Sequence, residues 1–164
     1  MNDVIRTHAL VRNFGRTTAL AGVDLEVPEG AIYALVGANG AGKTTLIKVL
    51  MNIFQPTSGS ATVLGIDSRH IAGKHFARIG YVSENQEMPE WMTVRYLLDY
   101  YRSFYPSWDT ALEQQLIRQF DLPLNRKLKH MSRGQRMKAA FASSLRPARP
   151  SRVPRIVCVL AKRA

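Results

Sequence analysis

The sequence predicts a mixed α/β fold, and three features of its 164 residues support this prediction. The first thirty residues alternate apolar and polar side chains, as half-buried antiparallel strands do. A continuous apolar run over residues 31–36 precedes a Gly-rich turn and an amphipathic segment. The middle of the chain carries apolar side chains at helical spacing. With 46% apolar and 21% charged residues, the composition is that of a globular domain rather than a disordered chain.

Short strands are predicted mainly in the first half of the chain. The run at residues 31–36 has the pattern of a strand buried on both faces. The turn over residues 37–42 then leads into a predicted helix at residues 43–52, where Leu46, Ile47 and Leu50 share one face. The other predicted strands are residues 4–10, 22–27, 61–64 and 78–82.

Three helices are predicted in the second half of the chain. The last begins at a capping box, in which the Ser132 hydroxyl and the Gln135 side chain each satisfy an unpaired amide. Pro106 and Pro123 bracket the second helix. The predicted apolar faces are Val94, Leu97, Leu98 and Tyr101 in residues 93–105; Leu112, Leu116 and Phe120 in residues 108–120; and Met137, Ala140, Phe141, Ser144 and Leu145 in residues 132–145.

The net charge of +11 is unevenly distributed. Residues 1–121 carry 11 basic and all 12 acidic side chains, whereas residues 122–164 carry 12 basic side chains and no acidic one. A basic nucleic-acid-binding surface is one interpretation of this last quarter, and an aberrant sequence is another. Cys158 is the single cysteine, so the 164 residues hold neither an intramolecular disulfide nor a cysteine-cluster metal site.

Residues 37–44 read Gly-Ala-Asn-Gly-Ala-Gly-Lys-Thr and match the phosphate-binding pattern G-x-x-x-x-G-K-[ST]. They lie between a predicted buried strand and a predicted helix, the context that this pattern requires. Glycines let successive backbone amides point at a polyphosphate, and the positive end of the helix faces the same anion. The motif therefore predicts a nucleoside-triphosphate site in a P-loop NTPase-type sheet.

Individual residues of this loop have distinct expected roles. Lys43 would place its charge on the β- and γ-phosphates, and the Thr44 hydroxyl would ligate Mg²⁺. The hydroxyl and amide of Thr45 would reach the region of the α-phosphate. The other candidate cofactor-binding residues of the loop are Gly37, Asn39, Gly40, Ala41 and Gly42.

Several segments together resemble the ATPases of ATP-binding cassette (ABC) transporters. Residues 132–135, Ser-Arg-Gly-Gln, are similar to the L-S-G-G-Q signature of that family, with Arg133 in place of the first glycine. Phe14 lies where the family keeps an aromatic side chain that stacks on adenine. Residues 79–84 resemble the glutamine-loop segment, and residues 37–45 have the family's usual loop sequence. The likeness covers about residues 3–145.

The resemblance implies a mechanism with two such domains arranged head to tail. ATP and Mg²⁺ are then the expected cofactors of the loop, and the signature of the partner domain closes over the γ-phosphate. Ser132 would donate a hydroxyl hydrogen bond and the Gly134 amide a second one, with Gln135 completing this set. Bacterial exporters with separate membrane subunits are favoured by the segments at residues 89–94 and 104–109.

At the glutamine-loop position this chain carries Glu84, which could ligate Mg²⁺ or orient water through an oxygen atom but adds a negative charge. Gln86, two residues later, is the weaker candidate. Glu84 is therefore the one candidate catalytic residue, and the expected metal ligands are Thr44 and Glu84.

Phosphoryl transfer needs a carboxylate that fixes Mg²⁺ and a group that positions water. The family takes both from an apolar strand ending in Asp-Glu, which would fall near Arg155 here, and it keeps a histidine further on. No aspartate or glutamate follows Asp121 and no histidine follows His130. The chain is thus expected to bind ATP without hydrolysing it, with the C-terminal strands of the sheet missing.

The predicted organisation is a partial ABC ATPase domain over residues 1–145, with an inserted helical subdomain at about residues 88–145. Residues 146–164 are rich in proline and arginine and lack carboxylates, so a frameshift or other aberrant origin is the favoured hypothesis. A genuine variant with a basic tail that meets phospholipid or nucleic acid is the alternative. Sequencing the locus downstream of codon 145 separates the two.

Three functions remain open from the sequence: an ATP-binding transporter subunit, a nucleotide-binding fragment without turnover, and a basic nucleic-acid-binding module. The charge balance of residues 1–121 counts against the third, so no specific nucleic acid is expected. The expected partners are a membrane subunit and a second ATPase subunit. With no apolar run near the 20 residues of a membrane span and no signal peptide, the expected location is the cytoplasm, at the inner face of the cell membrane through the partner.

Overall fold

A computed structural model describes residues 3–83, 87–104, 108–144 and 156–159 of the chain, the last of these by backbone alone. The chain divides into two compact units, the first running to Phe76 and the second beginning at Ala77. Mixed strands and helices confirm the predicted α/β class. The helices and strands are β1 (Asp3–Phe14), β2 (Thr17–Pro28), α1 (Lys43–Leu50), β3 (Ser58–Val63), β4 (Ile66–Asp67), β5 (Ile79–Val82), α2 (Val94–Arg102), α3 (Thr110–Gln119), α4 (Arg133–Ser144) and β6 (Ile156–Val159).

The first unit is built on an antiparallel sheet in the order β2-β1-β3-β4. Strands β1 and β2 form a hairpin that closes at the pair Phe14 and Thr17. The two alternating segments of the N-terminus are therefore strands, as predicted, and they extend over longer stretches. Helix α1 packs on β2 and β3 and buries Leu46, Ile47 and Leu50. The predicted helix and its apolar face are confirmed, and the sheet positions the N-terminus of α1 beside β2.

The prediction of a buried strand at residues 31–36 is wrong. This segment forms no strand, and Ile32 and Val36 are 102% and 82% exposed. The apolar pattern reflects only the tendency of each side chain to be buried. A strand buried on both faces also needs a hydrogen-bonded neighbour at each edge. None of the strands in the described part of the chain supplies one, so the segment stays uncovered.

Because this apolar segment is exposed, we expect the 164-residue chain to self-associate. Uncovered apolar side chains with unpaired backbone groups beside them favour pairing between molecules. We expect Ile32→Lys to shift the chain from oligomers towards monomer in sedimentation velocity, and Ile53→Lys, which changes an exposed isoleucine outside the segment, to leave the distribution unchanged. A wild-type chain that sediments as a monomer at all concentrations would contradict this prediction.

The second unit packs α2, α3 and α4 around one apolar cluster. The predicted faces of α2 and α3 are confirmed, with Val94, Leu97, Leu98 and Leu116 buried. For α4 the prediction is only partly right. Ala139, Ala140, Ala142 and Ser143 are buried, while Met137 is half-buried and Leu145 lies outside the described residues. Small side chains let α4 approach its neighbours closely. The sequence does not indicate their burial, because the pattern that predicts a buried helix face is made of large apolar residues.

A polar network ties α2 to the start of α3. Glu113 is buried, with 6% of its surface exposed. Both of its carboxylate oxygens accept hydrogen bonds from Arg102 Nη2, at 2.7 and 2.9 Å, and Oε2 also accepts from Trp108 Nε1 at 2.5 Å. Hydrogen bonding to Glu113 raises the pKa of the Arg102 guanidinium. A buried carboxylate is stable here because both of its oxygens are paired.

We expect Glu113→Ala to lower the free energy of unfolding by about 2 kcal/mol, because it removes the buried acceptor of Arg102 Nη2 and of the Trp108 indole N–H. Asp99→Ala is the matched control. Asp99 pairs with the same arginine at 3.1 Å but is 54% exposed, so its loss should cost less than about 0.5 kcal/mol. Urea unfolding measures both, and equal losses in the two variants would contradict the prediction.

Among the described residues, no helix has both the length and the apolar character that a membrane span requires.

Candidate functional site

The loop over residues 37–42 ends against the sheet at Gly42, which is the N-cap of α1. Gly40 and Gly42 have φ angles of +84° and +82°, a region that favours glycine. A Cβ atom at Gly42 would lie 2.3 Å from the carbonyl oxygen of Ala19 in β2. Glycine at this position thus lets the loop turn into the helix while touching β2.

Lys43 folds back over the loop that precedes it. Its Nζ donates hydrogen bonds to the carbonyl oxygens of Gly37 and Ala38, at 2.6 and 2.8 Å. The loop is also closed by a bond from the Ala41 amide to the Ala38 carbonyl at 3.2 Å. The ammonium group therefore lies beside the same stretch of backbone that ends at the N-terminus of α1.

The N-terminus of α1 has the features of an anion site. Gly42 makes no side-chain cap, and the first turn of α1 contains no acidic residue. The first amides of a helix lack intrahelical acceptors and carry about half a positive charge together. With the Lys43 ammonium nearby, the residues present fit a polyphosphate. Asn39 and Ala41 are exposed in this loop.

Two hydroxyl groups lie in the first turn of α1. Thr44 is exposed and Thr45 is half-buried. The Thr44 hydroxyl is a suitable hard ligand for Mg²⁺ that reaches the site with a triphosphate. Glu84 and Gln86 lie outside the described residues, and among the described residues no group of three or more His, Cys, Asp or Glu side chains is placed to hold a metal ion.

Phe14 lies at the end of β1 with 40% of its surface exposed. Its ring meets the ring of Phe54 edge to face, with centroids 5.2 Å apart. The guanidinium carbon of Arg12 lies 4.5 Å from the centroid of Phe14 and 5.6 Å from that of Phe54. Sequence reasoning missed both neighbours of Phe14, because Phe54 is forty residues away and lone arginines in strands are common.

The signature segment forms the capping box that the sequence predicts. Ser132 Oγ accepts from the Gln135 amide at 3.2 Å, and Gln135 Oε1 accepts from the Ser132 amide at 3.0 Å. The Ser132 hydroxyl hydrogen therefore remains available for donation, and Ser132 and Gly134 are exposed at the start of α4. Phe14 and the loop belong to the first unit, whereas Ser132, Gly134 and Gln135 belong to the second.

Comparison with known proteins shows the family to which the chain belongs. Residues 20–149 match the family model described as "ABC transporter". The chain belongs to the ABC transporter family. Within this family it belongs with the ATP-binding subunits, and its fold is that of the P-loop NTPases. The resemblance drawn from residues 37–45 and 132–135 is therefore confirmed.

Two curated relatives of this ABC protein are ATP-binding proteins. One is the daunorubicin resistance ATP-binding protein DrrA2 of Streptomyces coeruleorubidus, 34% identical over 86% of this chain and 45% of its own length. Another is the ribose import ATP-binding protein RbsA of Pseudomonas putida, 37% identical over 68% of this chain and 23% of its own length. The chain thus spans less than half the length of these relatives.

A solved structure titled "Structure of ATP binding subunit of ABC transporter" has the same fold, with a TM-score of 0.74 at 24% identity. It aligns with 86% of this chain, which in turn covers 61% of the solved chain.

Proposed function

We propose that this chain is the nucleotide-binding part of an ABC transporter ATPase and that it holds MgATP on the loop over residues 37–45. The observation that carries the proposal is the Lys43 ammonium lying across the loop at the uncapped N-terminus of α1. An oriented set of amides and a lysine together match a triphosphate in shape and charge. The Thr44 hydroxyl would hold Mg²⁺, and Thr45 would reach the α-phosphate region.

Adenine would stack on Phe14 in this proposal. The ring is 40% exposed, and it lies at the end of the hairpin whose second strand touches Gly42. Stacking on an aromatic face is worth roughly 1–3 kcal/mol per base, which is a useful share of nucleotide affinity.

Closure over the γ-phosphate would need a second ATPase subunit, arranged head to tail. Ser132 keeps a hydroxyl hydrogen to donate, and Gly134 and Gln135 lie in the first turn of α4, where amides point out of the helix. Coupling through the helices of the second unit to a membrane subunit would link ATP to transport, and that subunit would hold the chain at the membrane.

The 164 residues are proposed to bind ATP without turning it over. Hydrolysis needs a carboxylate on Mg²⁺ and a group that positions water, and residues 122–164 contain no carboxylate and no histidine beyond His130. Glu84 remains the one candidate, as a metal ligand or water-positioning group.

Calorimetric titration of the folded chain with MgATP, paired with a phosphate-release assay, tests this function. We expect saturable binding and no release above a buffer control. Binding of duplex DNA that falls steeply with salt, without MgATP binding, would instead select the basic nucleic-acid-binding alternative. Steady phosphate release that depends on Lys43 would show that the chain does hydrolyse ATP.

A further inference from the structure

The ring of Phe14 is held by side chains that the proposed function does not use. Arg12 lies two residues earlier in β1, and its guanidinium is over the Phe14 ring. Its Nη1 donates to the carbonyl oxygen of Gln55 at 2.8 Å, which gives the guanidinium a second anchor besides the ring. A cation over an aromatic face is attracted by the electron density of the ring.

The second ring, Phe54, connects this cluster to the phosphate-binding helix. The Phe54 amide donates to the carbonyl oxygen of Lys48 in the last turn of α1, at 3.1 Å. The Lys48 Nζ lies 5.1 Å from the Phe54 centroid. Arg12 therefore bridges a ring at the end of β1 and a ring just beyond the C-terminal end of α1, the helix whose first residue is Lys43.

Arg12 also has one hydrogen-bond donor that is unused within the described part of the chain. Its Nε is buried and has no hydrogen-bond partner among the described residues. Among the described residues, the guanidinium is therefore held by the Nη1 bond to Gln55 and by its contacts with the rings of Phe14 and Phe54.

We propose that Arg12 is a positioning residue for the nucleotide base and acts through Phe14. By lying on the ring and bonding to Gln55, it fixes the ring plane against which a purine stacks, and its positive charge makes the ring a better partner for an electron-rich base. This inference rests on the proposed function, because it assumes that a nucleotide occupies the loop. The phosphate contacts at residues 37–45 do not depend on it.

The test compares two ligands that share phosphates but differ in the base, MgATP and magnesium tripolyphosphate. We expect Arg12→Met to raise the dissociation constant for MgATP about fivefold, because the Phe14 ring is then no longer held in the plane on which the base stacks. Affinity for tripolyphosphate should stay within twofold. Arg12→Lys, which keeps the charge, should recover part of the loss.

Arg6→Met is the matched control, because Arg6 lies on the same strand and pairs with Asp3 and Glu26 rather than with a ring. It should leave both affinities unchanged. Equal losses for both ligands in Arg12→Met, or no loss for either, would overturn the positioning role. Failure of the folded wild-type chain to bind either ligand would instead refute the proposed function itself.

Discussion

Replacing Lys43 with methionine is expected to weaken MgATP binding about tenfold to a hundredfold. The substitution keeps an unbranched apolar side chain but removes the ammonium group that bonds to the Gly37 and Ala38 carbonyls at 2.6 and 2.8 Å. Losing the hydrogen bond from this charged group to a phosphate costs about 1.5–3 kcal/mol of binding free energy. The N-terminus of α1 carries only about half a positive charge, so it does not replace the ammonium group. Calorimetric titration measures the change directly.

Lys74→Met serves as the matched control for this experiment. Lys74 is an exposed lysine of the same unit, in the short 3-10 segment Gly73–Arg78, so its loss changes the net charge equally. It should alter MgATP affinity less than twofold. A comparable loss in both variants would mean that overall charge, and not the position of the Lys43 ammonium, determines binding.

Gly42→Ala is expected to lower the free energy of unfolding by about 3 kcal/mol and to weaken MgATP binding in whatever remains folded. Two costs add at this position. An L side chain at a φ of +82° costs about 1 kcal/mol, and the new Cβ would lie 2.3 Å from the Ala19 carbonyl oxygen and 3.0 Å from Leu20 Cδ2. Strand β2 or the start of α1 would have to move.

Gly40→Ala separates these two costs. Gly40 has nearly the same φ, +84°, and nothing lies within 4 Å of the position its Cβ would take. Only the conformational cost should appear, about 1 kcal/mol in urea unfolding. If both variants lost the same stability, the close approach of Gly42 to β2 would not be a feature of the folded protein.

Local sequence signals predicted the capping box and the glycine turn of the candidate site. Four consecutive residues encode the capping box at Ser132 and Gln135, since both partners of each hydrogen bond lie within one helical turn. The turn glycines before Lys43 are likewise local, because their task is set by backbone angles. These features could be predicted because the interactions that create them span only a few residues.

Interactions between distant residues could not be predicted in this way. The segment at residues 31–36 has the composition of a buried strand, yet strand formation depends on neighbours that no local pattern contains. The contact of Arg12 with Phe14 and Phe54 joins the end of β1 to the end of α1, and it exists only once the sheet and helix have packed. The buried face of α4 consists largely of alanines, which are buried only because other helices pack closely against them.

We propose that backbone amides around Lys43 receive the phosphates of ATP. Amide chemical shifts in a ¹⁵N-labelled chain, followed during titration with MgATP and with magnesium tripolyphosphate, test it most directly. We expect saturable shifts centred on Gly40, Gly42, Lys43 and Thr44 with both ligands. Shifts confined to the basic residues beyond 121, or no saturable shift in the loop of a folded chain, would contradict it.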